Sequence, residues 1–300
     1  AGPPPRSLVP FGPLSSGLRT RRRVDFAAYD VLHGTLRPAS PVALAVRPPS
    51  TPLVVTSHGT SLGEVRSHKL EVATDYLKKL FFHPINVAMD VATAPRAGRI
   101  IAISEDSRDE LASRYPVSRD SLVRVPHGVD ADRFHPDQPP HEATRSDRLT
   151  LLHVGRLVSR KHVDLGLRAL AALDRDDIEL LVAGDGTHRD RLEELAEQLN
   201  VAEQVEFLGF VPEPELPGLY AGSDAFLFLS RYAGFGRTFL EAMASATPVV
   251  GTAVGGFPDV VTDDRDAFVV DRDPGDVASA VDRLADSPEL LAAASSAARD

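Results

Sequence analysis

The 300-residue sequence contains no cysteine, and no run of apolar residues approaches the roughly 18 that a membrane-spanning helix needs. Without cysteine the chain forms no disulfide, thiol nucleophile or thiolate metal site. A reducing cytoplasm is permitted, and we expect the protein there or at the inner face of the membrane. With 43% hydrophobic and 25% charged residues, the composition is that of a soluble globular protein.

Charge is distributed unevenly along the chain. Residues 1–140 carry 18 basic and 14 acidic side chains, whereas residues 141–300 carry 15 and 29. The asymmetry is typical of two lobes that face different partners, although an acidic surface that aids solubility explains the second half equally well. Because the overall charge is −10 and basic and aromatic residues do not interleave, we expect no binding of nucleic acid.

The second half alternates short apolar runs with amphipathic stretches, a pattern that indicates a parallel sheet covered by helices. Leu192, Leu195, Ala196 and Leu199 fall on one helical face, and Asp273 followed by proline predicts the start of another helix. Six apolar runs are predicted strands: 149–154, 178–184, 205–209, 225–230, 247–252 and 267–270.

The first half shows the same alternation less completely. A helix is predicted around Leu70, Ala73, Leu77 and Leu80, and the polar, proline-rich segment 130–147 is the best linker candidate. The chain begins at a proline-rich stretch that reads like a cut point, so we expect the opening strands of this domain to be missing. Four further runs are predicted strands: 29–34, 51–59, 98–104 and 122–128.

These patterns predict an α/β protein of two Rossmann-like, doubly wound domains, 1–140 and 141–300, the first of them incomplete. In such sheets ligands bind beyond the carboxyl ends of the strands. Gly155 and Arg156 directly follow a predicted strand, and Lys161 comes five residues after Arg156. A planar guanidinium and a compact ammonium after a tight turn suit a diphosphate, although solvated loop charges give the same pattern.

Glycine-rich turns follow other predicted strands of the second half. Gly184 and Gly186 flank one turn, and the stretch "RYAGFGR" runs into a predicted helix whose N-terminus would attract an anion. Glu241 lies about one turn into that helix, where it could accept hydrogen bonds from a ribose or could simply face solvent. A second such turn contains "VGGFP", whose proline at 258 can open another helix.

Taken in order, the motifs "HVGRLVSRK", "LLVAGDG", "FLGFVP", "GFGRTFLEAMASATPVV" and "GTAVGG" resemble the nucleotide-sugar half of a retaining GT-B glycosyltransferase of family 4. In the first half, "VVTSHGTSLGE", "IIAISEDSRDEL" and "VPHGVDADRFHP" resemble the acceptor domain and the junction of that family. The resemblance implies a GT-B architecture, with two domains that face a cleft.

The resemblance also implies roles for individual residues. Arg156 and Lys161 match the pair that grips the donor diphosphate, Glu241 the carboxylate associated with the ribose, and His58 a histidine near the reacting sugar carbon. We name Arg156, Lys161 and His58 as catalytic residues and expect no metal ion in the site. The remaining predicted donor-binding residues are Gly155, Gly184, Gly186, Phe210, Val211, Gly234, Phe235, Gly236, Gly255, Gly256, Phe257 and Pro258.

The sequence departs from the family pattern at three places. Ala233 stands where the first glutamate of the family's E-x7-E signature is expected, so the contact with the transferred sugar is in question. Ala246 replaces the usual glycine of the turn between a helix and a strand. The glycine-rich loop after the first strand of the acceptor domain has no counterpart.

These observations predict a retaining hexosyltransferase that uses a nucleoside diphosphate sugar and needs no cofactor; its acceptor is a glycan, a lipid or a small molecule. A degenerate GT-B protein that binds nucleotide with little turnover, and an epimerase, are the alternatives. Aspartate pairs of D-x-D spacing would suit a metal but are expected in turns and caps of so acidic a chain. Segments 18–23 and 75–84 suit contact with an anionic membrane, although we favour a solvated loop and a buried helix face.

Overall fold

The structure is a computed structural model in which the chain divides into two compact units. One unit holds the described residues of 1–66 and 77–126, and the other holds those of 67–76 and 127–300. The boundary predicted between residues 140 and 141 lies later in the chain than this division. The residues that the structure describes are 28–36, 50–67, 76, 80, 83–144 and 147–299.

The first unit contains one parallel sheet in which β2 and β3 are central. Leu53, Val55 and Ile100 of these strands are fully buried, because helices pack against the sheet. The described residues contain four strands, paired in chain order: β1 (Leu32–Thr35), β2 (Leu53–Ser57), β3 (Arg99–Ala102) and β4 (Leu122–Arg124). In the same part of the chain, α1 (Ser61–Ser67) and α2 (His83–Thr93) lie between β2 and β3, and α3 (Glu105–Arg114) lies between β3 and β4.

The second unit is a larger parallel sheet. Among the described residues its strands are β5 (Leu149–Val154), β6 (Ile178–Ala183), β7 (Val205–Gly209), β8 (Ala225–Phe228), β9 (Val249–Thr252) and β10 (Ala267–Val270). They pair in the order β10-β9-β8-β5-β6-β7. The helices in the same part of the chain are α4 (Val163–Leu173), α5 (Arg189–Gln198), α6 (Leu216–Ala221), α7 (Arg237–Ala244), α8 (Phe257–Val260), α9 (Pro274–Asp286) and α10 (Pro288–Arg299).

Strand burial explains why the sequence pattern was readable. Every residue of β6, β8 and β9 is buried, as expected for strands covered on both faces, so these strands read as continuous apolar runs. Nine of the ten predicted runs contain a strand, and β1 extends one residue beyond the run 29–34; several strands are shorter than the run. The predicted α/β fold with two doubly wound domains is confirmed.

Helix predictions in the second unit are also confirmed. Leu192, Leu195 and Ala196 form the buried face of α5. Asp273 caps α9, where its Oδ1 accepts hydrogen bonds from the backbone N–H groups of Gly275 and Asp276. These elements follow from local sequence because a cap and an apolar stripe both depend on residues within a few positions of each other.

The predicted linker is a structured part of the second unit. Its described residues form turns rather than a free tether, and the N–H of His141 donates to the carbonyl oxygen of Gly218 in α6. The same turn packs on α6 so closely that a β-carbon on Gly218 would lie 2.5 Å from the carbonyl oxygen of Pro139. Polar, proline-rich composition predicted the lack of regular structure, but it could not reveal this packing.

Most of the helix predicted around Leu70 lies outside the described residues, as does the basic segment 18–23. Of that region the structure describes Tyr76 and Leu80, which are 57% and 69% exposed. Of the four positions predicted on the helix face, only Leu80 lies among the described residues, and the buried face is wrong there; farther along segment 75–84, His83 is buried. Membrane contact there stays a prediction.

Candidate functional site

The turns that follow the strands of the second unit lie on one edge of its sheet, because all six strands are parallel. The strand order reverses between β5 and β8, and ligands of doubly wound sheets bind beyond the carboxyl ends of strands at such a reversal. Apart from His58, the predicted site residues lie in these turns or at the start of the helix that follows: after β5 (Gly155, Arg156, Lys161), β6 (Gly184, Gly186), β7 (Phe210, Val211), β8 (Gly234, Phe235, Gly236, Glu241) and β9 (Gly255, Gly256, Phe257, Pro258).

Lys161 folds back over the turn after β5. It ends a short 3-10 turn, Ser159–Lys161, which precedes α4. Its Nζ atom lies 3.4 Å from the point that a β-carbon on Gly155 would occupy, and 6.0 Å from the ring centroid of Phe228. A side chain at position 155 would therefore displace the ammonium, which explains why glycine stands there.

The charges around Lys161 are mostly of its own sign. The pKa of Lys161 is lowered to about 8, mainly by burial and then by the charges of Arg160 and Arg156, while the charge of Glu241 acts in the opposite direction. Arg156 is exposed at the sheet edge, whereas Lys161 is half-buried. Three cations close to one turn create a positive potential that suits an anion with several charges, such as a diphosphate.

The glycines after β6 let two neighbouring turns meet backbone to backbone. Gly184 has a φ of 141°, and a β-carbon there would overlap the carbonyl oxygen of Gly155. A β-carbon on Gly186 would overlap the carbonyl oxygen of Leu157. These glycines therefore shape the turn that carries Lys161, in addition to the expected approach of a ligand.

The turn after β8 leads directly into α7. Gly236 precedes the helix with a φ of 104°, and a β-carbon there would lie 2.5 Å from Phe228 Cζ. Phe235 is buried against Phe239, and Gly234 is half-buried between them and Ala233. The aromatic contacts fix the path of the backbone into α7, whose unpaired N-terminal N–H groups attract negative charge.

Glu241 is held by a residue that the sequence analysis missed. Its Oε2 accepts a hydrogen bond of 2.9 Å from the hydroxyl of Tyr220, and burial followed by the charge of Glu241 raises the pKa of that tyrosine. Glu241 is half-buried, so it is not simply a solvated residue of a helix surface. Nothing local in the sequence links the two, because Tyr220 lies in α6, 21 positions earlier.

The turn after β9 packs under the turn after β8. Gly255 has a φ of 64°, and a β-carbon there would lie 2.7 Å from the carbonyl oxygen of Ala233. Gly256 donates its N–H to the carbonyl oxygen of Phe235. Phe257 is fully buried, and the exposed Pro258 lies in the first turn of α8, as its position predicted.

Phe210 and Val211 lie at the outer end of the same edge. The ring of Phe210 is 81% exposed, which is unusual for a large apolar side chain. The two residues line a surface cavity of about 350 Å³ together with His141, Glu206 and Glu215. An exposed aromatic beside a cavity can stack against a flat ring, which agrees with a base-binding role.

Arg231 is a second residue that the sequence analysis did not identify. Its Nη1 donates to the carbonyl oxygen of Ser159 at 2.6 Å, and its backbone N–H donates to the carbonyl oxygen of Arg160 at 2.8 Å. Its Nη2 lies 3.6 Å from Asp164 Oδ2 in a pair whose arginine is 7% exposed. Arg231 thus joins the turn after β8 to the turn that carries Lys161.

His58 belongs to the first unit, so it is described separately from the residues above. It follows β2 and is exposed at the start of the turn that leads into α1. The next glycine, Gly59, has a φ of 131°, a backbone conformation that favours glycine.

The same turn contains a G-x-S-x-G motif, Gly59 to Gly63, which in hydrolases presents a nucleophilic serine. Ser61 is fully buried at the start of α1, and its backbone N–H donates to Asp90 Oδ2 at 2.9 Å. A nucleophile must be reachable by its substrate, so the motif here serves packing and not hydrolysis. Motif spacing without burial does not separate these two cases.

The aspartates of D-x-D spacing act as turn residues and caps. Asp273 caps α9, and Asp130 Oδ1 accepts from the N–H groups of Asp132 and Arg133. Within the described ranges no group of three or more His, Asp or Glu is placed to hold a metal ion. In that same part of the chain no helix has the length and apolar character to cross a bilayer.

Two parallel-sheet Rossmann-like domains, with cations and glycine turns at the carboxyl edge of the second, define a GT-B protein. Residues 135–300 match the family "Glycosyl transferases group 1", and residues 1–133 match "Glycosyltransferase Family 4". The chain therefore belongs to the group 1 glycosyltransferases, and the resemblance seen in its motifs is confirmed.

Several glycosyltransferases are similar to about two thirds or more of the chain. A GDP-mannose-dependent alpha-(1-6)-phosphatidylinositol monomannoside mannosyltransferase of Mycolicibacterium smegmatis is 33% identical over 280 residues, which cover 87% of this chain and 69% of the relative. A D-inositol 3-phosphate glycosyltransferase of Geodermatophilus obscurus is 31% identical, with 92% and 64% covered. A glycosyltransferase of Methanocaldococcus jannaschii is 31% identical, and the chain spans about half of it, 53%, with 66% of this chain covered.

Solved structures share the fold at lower identity. Sucrose-phosphate synthase of Thermosynechococcus elongatus has a TM-score of 0.83 at 21% identity, over 100% of this chain and 76% of that one. Anabaena HepE, solved in complex with UDP and glucose, has a TM-score of 0.75 at 21% identity, over 99% and 78%. At these identities the likeness concerns the fold alone.

Proposed function

We propose that the protein is a retaining glycosyltransferase that moves a hexose from a nucleoside diphosphate sugar to an acceptor. The observation that carries the proposal is the Lys161 ammonium, buried over Gly155 and close to Arg156 where the strand order reverses. The transferases among its relatives support the same activity. The proposed donor also agrees with the UDP complexes of a structural neighbour.

In the proposed reaction the bond between the anomeric carbon and the β-phosphate oxygen breaks, and the nucleoside diphosphate leaves with increased negative charge. Lys161 and Arg156 stabilise that charge, together with the N-terminus of α7. These groups are fixed before the reaction, so they need little reorganisation in the transition state. The protein's own cations supply the stabilisation, and we propose that the transfer needs neither a metal nor a cofactor.

Retention is proposed to proceed by attack from the face that the leaving group vacates. The segment 230–236 contains no carboxylate, and its signature position is Ala233, which is 4% exposed. A double displacement would need a carboxylate nucleophile beside the sugar, and this segment offers none. In front-face attack the departing phosphate oxygen takes the proton of the acceptor hydroxyl instead.

The acceptor is proposed by its chemical class. We propose a glycan, lipid or small-molecule acceptor that meets the donor from the first domain, with His58 near the reacting carbon. The cytoplasmic location, at the inner face of the membrane for a lipid acceptor, remains part of this proposal.

The test begins with binding. UDP, GDP and ADP are added separately, and we expect at least one to raise the melting temperature of the protein. Lys161→Met should abolish most of that increase, whereas Arg168→Met, an exposed basic residue of α4, should not. No shift with any of the three nucleotides would refute the donor site.

A panel of nucleotide sugars then tests turnover. The proposal predicts release of nucleoside diphosphate with at least one donor and an acceptor, and product of retained anomeric configuration by NMR. Binding without release from any donor would support the degenerate GT-B alternative instead. An inverted product would refute the retaining mechanism while leaving the transferase assignment intact.

A further inference from the structure

His153 lies in β5, two residues before Gly155, and is 5% exposed. Its Nδ1 atom lies 3.3 Å from the carbonyl oxygen of Leu227 in β8. A carbonyl oxygen only accepts, so Nδ1 carries the proton and donates it. Burial, and to a smaller extent the charge of Lys161, lowers the pKa of His153 to about 3. The ring is therefore neutral, and its Nε2 presents a lone pair.

Nε2 of His153 is buried and makes no hydrogen bond to any residue that the structure describes. It faces the same small space over Gly155 as the Lys161 ammonium. The point that a Gly155 β-carbon would occupy lies 3.5 Å from Nε2 and 3.4 Å from Nζ of Lys161. A buried acceptor without a donor is costly, and an ammonium carries three donors, so the two groups complement each other.

We propose that His153 is a positioning residue for Lys161: although Nε2 makes no hydrogen bond in this structure, a rotation of the flexible lysine side chain brings Nζ to it, so that Nε2 accepts one N–H of the ammonium and directs the other two toward the donor diphosphate. His153 does not itself bind the diphosphate, because an unprotonated nitrogen cannot donate to a phosphate oxygen. The direction toward a diphosphate rests on the proposed function, whereas the contact with Lys161 does not.

The other charged groups that act on Lys161 are Arg156, Arg160 and Glu241. Both arginines disfavour the charged form of Lys161, so a hydrogen-bond acceptor beside it is favourable. An uncharged acceptor suits this place because a second carboxylate would repel a bound anion. This arrangement explains a polar residue in the interior of a sheet whose neighbouring positions, Leu152 and Leu227, are buried and apolar.

The contact is tested in the protein without nucleotide. The rate at which an amine-specific acylating reagent modifies Lys161 is measured by mass spectrometry from pH 6 to pH 11. Only the neutral amine reacts, so the midpoint of the rate against pH gives the pKa of Lys161. His153→Asn keeps a donor for Leu227 and removes Nε2, so we expect the midpoint to fall by about one pH unit. His153→Gln places an amide oxygen near the Nε2 position and should restore most of the shift.

His135→Asn is the matched control, since its ring bonds to Gln138 in a turn of the same unit. It should leave the midpoint unchanged. Equal midpoints for wild type and His153→Asn, or for the Asn and Gln variants, would overturn the proposal. Each variant's melting temperature is recorded first, because a misfolded variant exposes Lys161.

If His153→Asn does not fold, the wild-type protein alone still tests the proposed hydrogen bond. Its histidine ¹⁵N spectrum should show His153 as a neutral ring with the proton on Nδ1 and an accepted hydrogen bond at Nε2. A proton on Nε2 would overturn the proposal. A lack of such a bond at Nε2 would do the same.

The consequence for the ligand is measured separately. With the nucleoside diphosphate that binds wild type best, His153→Asn should weaken binding about tenfold, and His153→Gln should recover it; equal affinities would refute the direction toward the diphosphate. If none of UDP, GDP and ADP binds wild type, the proposed function fails. The acylation midpoints still decide the His153 contact in that case.

Discussion

Lys161 combines burial with neighbours of its own charge, and this combination makes it sensitive to pH. Its pKa is lowered to about 8 in the folded protein, from an ordinary 10.5. A diphosphate is attracted by the ammonium and not by the neutral amine. The charge needed for binding is therefore present below pH 8 and lost above it.

We predict that nucleoside diphosphate affinity falls as pH rises through 8, by a factor that approaches ten per unit. Isothermal titration calorimetry between pH 6.5 and pH 9.5 measures it. Lys161→Met should bind weakly at every pH and lose the dependence. A wild-type affinity that stays constant to pH 9.5 would show that Lys161 does not meet the phosphates.

Ala246 is the residue that replaces the glycine usual in this family. It has a φ of 59°, so its β-carbon is held in the left-handed region that costs an ordinary residue roughly 1–2 kcal/mol. Glycine avoids that cost but loses more backbone entropy on folding. The replacement is therefore tolerated locally and should weaken the fold only slightly.

We expect Ala246→Gly to raise the free energy of unfolding by about 0.5–1 kcal/mol, measured by urea denaturation. Ala293→Gly in α10 is the matched control, because Ala293 is exposed and the same change inside a helix should destabilise by about 1 kcal/mol. Equal effects of the two substitutions would contradict the explanation.

At the scale of elements, the site depends on turns that touch backbone to backbone. Gly184 follows β6, and its neighbour in space is Gly155 after β5. A methyl group between them would separate the two turns, and the one after β5 carries Arg156 and leads to Lys161. The glycine is thus required by the pairing of two strands and not only by a ligand.

Gly184→Ala should lower the free energy of unfolding by about 2–4 kcal/mol and abolish nucleotide binding, since the added carbon overlaps backbone. Gly128→Ala is the matched control, because nothing lies within 4 Å of a β-carbon there. Urea denaturation and calorimetry measure the two effects. Near-wild-type stability of Gly184→Ala would mean that the turns separate easily.

For the whole molecule, the parallel strands decide where a donor binds. The strand order reverses between β5 and β8, so the turns after those strands flank a crevice at the carboxyl edge of the second sheet. The turns at the opposite edge, such as the one that contains Arg175 and Asp177, precede the strands.

We predict that a bound nucleoside diphosphate slows hydrogen exchange of the backbone at 154–161, 184–187, 231–238 and 254–258. Exchange at 174–177, on the opposite edge, should stay the same. Hydrogen-exchange mass spectrometry with and without UDP or GDP measures both sets. Protection confined to 174–177 would place the ligand on the wrong edge for the proposed function.

The sequence by itself determined the ten strands, the cap of α9 and the family, because apolar runs, caps and glycine motifs depend on residues close together in the chain. It also indicated that Arg156 and Lys161 meet an anion, but not that one is exposed and the other half-buried. Only the tertiary structure decided that difference, since Lys161 packs over Gly155, in the turn after β5, and close to the ring of Phe228 in the neighbouring strand β8. The same holds for Tyr220 beside Glu241, a contact that strand order, and not local sequence, creates.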